Sequence, residues 1–408
     1  MKRIFKLFAV LVAAAFVYGC GGGTADTEKP KFDEERPGPG VSVGAGYGGG
    51  KEIAGIPSDD KAEPNPEVEV GDINATIPNV SYEAEMEGND VIIRLTMTGV
   101  KDESATDPED EWLRLLGTGE AGQNIWLEID GTPKGIDVYN TADDEEDENV
   151  GTVYTDFVFL VDNSGSMGEE ADAIANDIVA WAQILNQNLD VQFGIVGYDG
   201  CIHGAVDVAS YEVLSSYLND RGYYGTSRTN GYAGDHALAL EAAAPSYGND
   251  CQNESGVAAL RFADENFAFR SGANRVYVNF TDEENYTYGS TDYSVEYVEQ
   301  LWTPSQGTIH SVISDPYLLP VSESTYYQDP TRMSTATGGT VLIVDSSFTG
   351  VSLNDLPVTG AMQNSYVIRF TNVAEFLDGL PHEVRITIIS ADGAVKAEQV
   401  FYITFEIA

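Results

Sequence analysis

The stretch "FVFLVDNSGSMGEE", Phe157 to Glu170, decides the fold of this chain. Phe157 to Val161 is a continuous apolar run, the pattern of a strand covered on both faces. It gives way to a carboxylate, Asp162, two hydroxyls, Ser164 and Ser166, with a glycine between them, and two further acids, Glu169 and Glu170. Ala171, Ile174, Ile178, Trp181 and Leu185 then recur at spacings 3, 4, 3 and 4, one apolar face of a helix. A buried strand therefore runs into a helix through a turn crowded with oxygen atoms.

The same alternation continues downstream. "VQFGIVGY", "RVYVNFTD", "GTIHSVIS" and "TVLIVD" read as strands, and "YEVLSSYL", "DHALALEAAA", "GVAALRFADENFAF" and "VEYVEQLW" as helices. Buried strands alternating with helices predict an α/β domain with a doubly wound, mostly parallel sheet over residues 154–350.

On either side the period changes to two. "VSYEAEM", "DVIIRLTMTGV", "NIWLEIDG" and "GIDVYN" alternate apolar and polar residues in 76–153, where Trp112–Leu116 is the one helical candidate. "SYVIRFTNV", "HEVRITIIS" and "KAEQVFYITFEI" do so again in 365–408. The C-terminal strands are too few to stand alone, so the two flanks are expected to form one β-sandwich interrupted by the α/β domain. Two independent β units are the alternative.

Residues 1–20 read as a processing segment: Lys2, Arg3 and Lys6, an apolar run Leu7–Val17 too short to span a bilayer, then "VYGC". A small residue directly before Cys20 resembles a bacterial lipoprotein signal, in which Cys20 becomes the lipidated first residue. That implies a lipid-anchored protein of the cell envelope, at the outer membrane or cell surface. An ordinary secretory signal or an uncut anchor is the alternative. Residues 21–75, rich in Gly, Pro and charge and without a period, are expected to be a disordered tether.

The formal charge is −45, from 66 acidic and 21 basic side chains. Nucleic acid should be repelled by such a chain. The acids are spread along its length, so most of them read as solvated surface, and the run Asp143–Glu148 as a loop. With Cys20 set aside, Cys201 and Cys251 remain of the three cysteines and are expected to pair in an oxidising compartment, two separate, partly buried thiols being the alternative.

Ligands of an open α/β sheet sit beyond the carboxyl ends of its strands. Asp162 and Asp282 both end strands, and Ser164 and Ser166 adjoin the first. These are hard oxygen donors that suit Mg2+ or Mn2+. Here the sequence resembles the von Willebrand factor A-type, or integrin I-like, domain, whose Asp-x-Ser-x-Ser motif is matched by Asp162, Ser164 and Ser166, and whose later Thr-Asp is matched by Thr281–Asp282. The resemblance implies a metal-ion-dependent adhesion site, completed by a carboxylate of a protein partner. It leaves a fifth ligand between two candidates. Thr229, or its neighbour Thr226, lies in "YYGTSRTNGYAGDHALAL", the kind of loop that supplies a Thr in most A-type domains. Glu254 lies in "NDCQNESGVAAL", similar to a loop of integrin β subunits, and is preferred. The same likeness implies a second, adjacent Ca2+ held by Glu169 and Glu170, which as acids in a first helical turn are equally explained by the helix dipole. It also suggests a third site from Asp199, Asn249 and Glu254, with a Cys201–Cys251 disulfide clamping its rim.

Other chemistry is thin. The histidines at 203, 236, 310 and 382 show no metal-ligand spacing, and neither serine lies in a nucleophile motif. The reading is a non-enzymatic envelope lipoprotein that binds a protein partner through a divalent cation. A metal-independent envelope scaffold is the alternative, and a metal-dependent hydrolase ranks last.

Overall fold

The computed structural model describes residues 41–43, 55–77, 79–87, 90–102, 105, 111–141, 153–168, 170–220, 228–248, 251, 253–314, 324, 326–345 and 352–407. The signal segment, with Cys20, lies outside the described residues, as does most of the expected tether.

The centre of the chain is a seven-stranded sheet, with a separate two-stranded antiparallel ribbon of β12 (Asn285–Tyr286) and β14 (Tyr327–Gln328). Its strands are β7 (Tyr154–Asp162), β8 (Asp190–Tyr198), β9 (Ile202–Ala209), β10 (Gly231–Ala233), β11 (Asn274–Thr281), β13 (Thr308–Ser314) and β15 (Val341–Val344), in the spatial order β10-β9-β8-β7-β11-β13-β15. All neighbours pair in parallel except β8 and β9, which form a hairpin. The fold is thus mixed α/β with a mostly parallel central sheet. Alternate residues of β7 enter two different cores. Phe157, Phe159 and Val161 meet Ile174, Ile178, Trp181 and Leu185 of the helix Ala171–Asn188. Val158 and Leu160 meet Val257, Leu260 and Phe262 of the helix Gly256–Asn266. Trp181 stands edge-on to Phe157 with ring centroids 5.3 Å apart. Such pairs add to the area that each ring buries.

The α/β unit runs beyond residue 350. Leu353, Leu356, Val358 and Met362 belong to the same core as Phe157 and Trp181, so the helix Val358–Gln363 is its last element. That helix and the helix Thr331–Thr337 are short, with 6 and 7 residues, and neither they nor the strand β9 carries a clear period in the sequence.

The flanking strands form two antiparallel sheets. One places β2 (Val80–Glu87), β3 (Asp90–Met97), β16 (Tyr366–Phe370) and β6 (Asp137–Asn140) side by side. The other, apart from a parallel edge strand, orders β1 (Val41–Val43), β18 (Lys396–Ile407), β17 (Pro381–Ile389), β4 (Ile125–Ile129) and β5 (Thr132–Pro133). Each sheet mixes strands from both flanks: β16 pairs with β3 and β6, and β17 pairs with β4. The inner faces share one core that includes Leu95, Leu127, Tyr366, Ile386 and Phe405. Thr141 and Ser365, the described ends nearest the α/β unit, are joined by a 3.0 Å backbone hydrogen bond from Thr141 N–H to the Ser365 carbonyl.

Two expectations are corrected here. Trp112–Leu116 forms no helix; Trp112 bridges to Lys101 as a strand fragment. The expected tether is also shorter at its C-terminal end. Val41–Val43 pairs in parallel with β18, and residues 55–75 lie against the sandwich. Ile56 is buried against Ile92, the Asn65 amide donates to the Arg385 carbonyl at 3.2 Å and to Thr387 Oγ1 at 3.0 Å, and the Asn74 and Ala75 N–H groups donate to the Lys396 carbonyl. This segment docks through side-chain and backbone hydrogen bonds, which need no apolar period.

Candidate metal centre

In the spatial order, β8 lies on one side of β7 and β11 on the other, so the chain reverses its winding between β7 and β11. Strand-end residues there face a common crevice. Asp162 ends β7 and Thr281 ends β11, with Asp282 next.

Asp162 is 2 % exposed. The Ser164 N–H donates to its Oδ1 at 2.7 Å, and Thr281 Oγ1 donates to its Oδ2 at 2.8 Å. Burial, with the charge of Asp282 as a lesser cause, pushes its carboxyl up to about 7. Ser164 Oγ and Ser166 Oγ share a hydrogen bond of 2.8 Å, and Ser166 Oγ donates to Asp282 Oδ1 at 3.1 Å. A hydroxyl has one proton, so Ser164 must donate to Ser166, and the chain points from Ser164 through Ser166 to Asp282. The turn that allows this has Gly165 at its tip, where no atom lies within 4 Å of an added Cβ.

Glu254 precedes the helix Gly256–Asn266. Ser255 caps that helix by accepting from the Ala258 N–H, and the Tyr286 N–H donates to the Glu254 carbonyl at 2.7 Å, fixing the loop. The Glu254 carboxyl is pushed up to about 8, first by burial, then by a hydrogen bond with Glu283 and by the charge of Asp162. Glu254 therefore faces the cluster, and Glu283 belongs to it. Glu283 also lies 3.5 Å from Ser166 Oγ through its Oε1. Its only sequence signal is adjacency to Asp282 in "TDEEN".

The remaining candidates are placed differently. Thr229 is 2 % exposed and its hydroxyl donates to Asn163, the residue after Asp162. Glu170 is buried, accepts at 3.3 Å from Ser314 Oγ at the end of β13, and its carbonyl accepts from the Ile174 N–H in the first turn of the helix. Both Asp199 oxygens are engaged, one by the Cys201 N–H at 2.8 Å and the other by His203 Nε2 at 2.7 Å. Asp199 thus shapes its own loop, and its bond to His203 is the first cause raising that imidazole above its usual range. Glu169, Asn249 and Thr226 lie outside the described residues.

Cys201 and Cys251 form a disulfide with their Cα atoms 4.6 Å apart. It joins the β8–β9 turn to the loop that carries Glu254. The Tyr288 hydroxyl lies 3.0 Å from the carbonyls of both Gly200 and Asn253, spanning the same two loops.

The donors fit a hard cation. Carboxylates and hydroxyls converge, and two of the carboxyls are raised, Asp162 by burial and the charge of Asp282, Glu254 by burial, Glu283 and the charge of Asp162; a bound divalent cation would relieve both. Among the described residues, no three His, Cys, Asp or Glu side chains alone make a ligand group. The set is complete only with the serine hydroxyls, which suits Mg2+ or Mn2+ better than Zn2+.

No protein-family model matches the chain, and no curated protein matches it. Solved structures that resemble it include the ArnB paralog VWA2 from Sulfolobus acidocaldarius, at 8 % identity over 82 % of this chain and 74 % of that one, TM-score 0.28. Others are the pilus adhesin SpaC from Lactobacillus rhamnosus GG, at 10 % identity over 79 % and 46 %, TM-score 0.32, and the PilB minor pilin from Streptococcus sanguinis, at 10 % over 66 % and 74 %, TM-score 0.30.

Proposed function

We propose that this protein is a cell-envelope adhesin-type binding protein, which engages a protein partner through a divalent cation held by Asp162, Ser164, Ser166 and Asp282, with Glu254 at its edge. The observation that supports this most is the hydrogen-bonded path Ser164–Ser166–Asp282, which joins the ends of β7 and β11 at the point where the winding reverses. A bound Mg2+ or Mn2+ would supply positive charge and an open coordination position for a partner's Asp or Glu carboxylate. The chain's own residues do the rest. The Ser164 N–H and Thr281 hydroxyl hold both oxygens of Asp162, and the disulfide and Tyr288 fix the loop of Glu254. Binding is favoured over catalysis because both serine hydroxyls are committed to each other and to a carboxylate, in place of the histidine that a nucleophilic serine needs. A lipid anchor at Cys20 would hold the protein to the envelope membrane.

Capture of envelope proteins by the full chain in millimolar Mg2+, against excess chelator, tests the reading. Partners held by wild type in Mg2+, released by chelator and not held by Asp162→Ala support it. Capture unaffected by chelator would replace it with a metal-independent scaffold.

A further inference from the structure

Lys134 is one of the largest fully buried side chains of the protein, with its side chain 0 % exposed. Lysine is almost never fully buried without a partner. Here Nζ lies 2.6 Å from Asp59 Oδ2, 3.0 Å from the carbonyl oxygen of Asn372 and 5.9 Å from the centre of the Phe376 ring. The side-chain amide of Asn372 donates to that same Asp59 oxygen at 3.4 Å. Asp59 Oδ1 is fixed by the Gly135 N–H at 2.9 Å. One carboxylate oxygen thus touches both an amine and a primary amide, inside a pocket walled by an aromatic ring.

We propose that Lys134 and Asn372 form an intramolecular isopeptide bond, with Asp59 as the proton relay. Asp59 takes a proton from the Lys134 ammonium. The free amine attacks Cγ of Asn372; the protonated Asp59 gives its proton to the departing Nδ2 and takes one from the attacking Nζ, so that it ends as a neutral carboxylic acid. The Nζ–Cγ bond forms, the Cγ–Nδ2 bond breaks, and ammonia leaves. Nothing is oxidised or reduced, and no reactant from outside is needed. Desolvation favours the exchange, because neutral products replace an ion pair whose ammonium is fully buried.

The topology gives the bond a purpose. Lys134 follows β5 in the flank before the α/β unit, and Asn372 follows β16 in the flank after it, 238 residues further on. Asp59 comes from the segment 55–75 that lies against the sandwich. The sandwich is therefore open to being pulled apart wherever load enters through the inserted unit, and this bond closes it covalently. The inference is independent of the metal centre.

The test is the mass of the purified full chain after disulfide reduction, with peptide mapping. The expected result is a chain lighter by one ammonia, a linked peptide pair containing Lys134 and Asn372, and no tryptic cut after Lys134. Mapping is needed because a succinimide at Asn230–Gly231 would lose the same ammonia. Asp59→Asn and Lys134→Arg chains should keep their full mass. Lys134 and Asn372 recovered in separate, unmodified peptides of wild type would overturn the proposal, and so would loss of water through a Lys134–Asp59 link. Since wild type alone decides between these outcomes, a variant that fails to fold does not blunt the test.

Discussion

Asp162→Asn removes a charge from the buried end of β7 while keeping an oxygen for the Ser164 N–H. In wild type the Asp162 carboxyl is raised from 3.8 to about 7, chiefly by burial. A shift of about 3 units, at roughly 1.4 kcal/mol each, amounts to up to about 4 kcal/mol. The sign follows from proton counting. Between pH 3.8 and about 7 the folded chain retains a proton that the unfolded chain has released, so wild type loses stability as pH rises across that window. In chelator, the Asn variant should match wild type near the lower end and exceed it by up to about 4 kcal/mol above the upper end. Urea unfolding in chelator at a series of pH values reads this directly. Adding Mg2+ at about a hundred times its dissociation constant should raise wild type by about 2.7 kcal/mol and leave the variant unmoved. Parallel curves for the two proteins at every pH in chelator would refute the claim that Asp162 is a buried, ionisable ligand.

Glu283→Gln should lower the raised titration of Glu254, which is about 8 in wild type with Glu283 among its causes; carbon-13 carboxyl shifts report it, and an unmoved Glu254 would separate the two side chains. Replacing Cys201 and Cys251 by Ser opens a loop of 50 residues and should cost about 4 kcal/mol by loop-closure entropy, measured by urea unfolding against the oxidised chain. Excising residues 142–364 behind a short linker should leave a folded sandwich, because Thr141 and Ser365 are already hydrogen-bonded at 3.0 Å. A circular dichroism spectrum without β-structure would show that the flanks need the inserted unit.

The strands and long helices of the α/β unit were legible because burial imposes a period, 3.6 on the helix Ala171–Asn188 and continuous apolarity on β7. The same pattern led to Asp162, Ser164, Ser166 and Asp282, whose chemistry follows from their position at strand ends. What escaped has no period. Residues 55–75 lie on the sandwich through polar atoms such as Asn65 Nδ2. Glu283 joins the cluster through the fold around Glu254, and the sequence places the two far apart. Lys134, in "GTPKG", reads as a turn lysine, and only the packing of Phe376 and Asp59 around it shows that it is buried. The likeness to integrin β suggests a third site at Asp199, whose two oxygens in the structure accept from the Cys201 N–H and contact His203.

Mn2+ titration of the full chain, followed by electron paramagnetic resonance at high salt, tests the central claim most directly, since salt suppresses loose binding to so acidic a surface. Wild type should show one saturable site that is lost in Asp162→Ala and in the Ser164→Ala, Ser166→Ala double variant, with both variants folded. Equal saturable binding by all three proteins would contradict the assignment of the cation to the ends of β7 and β11.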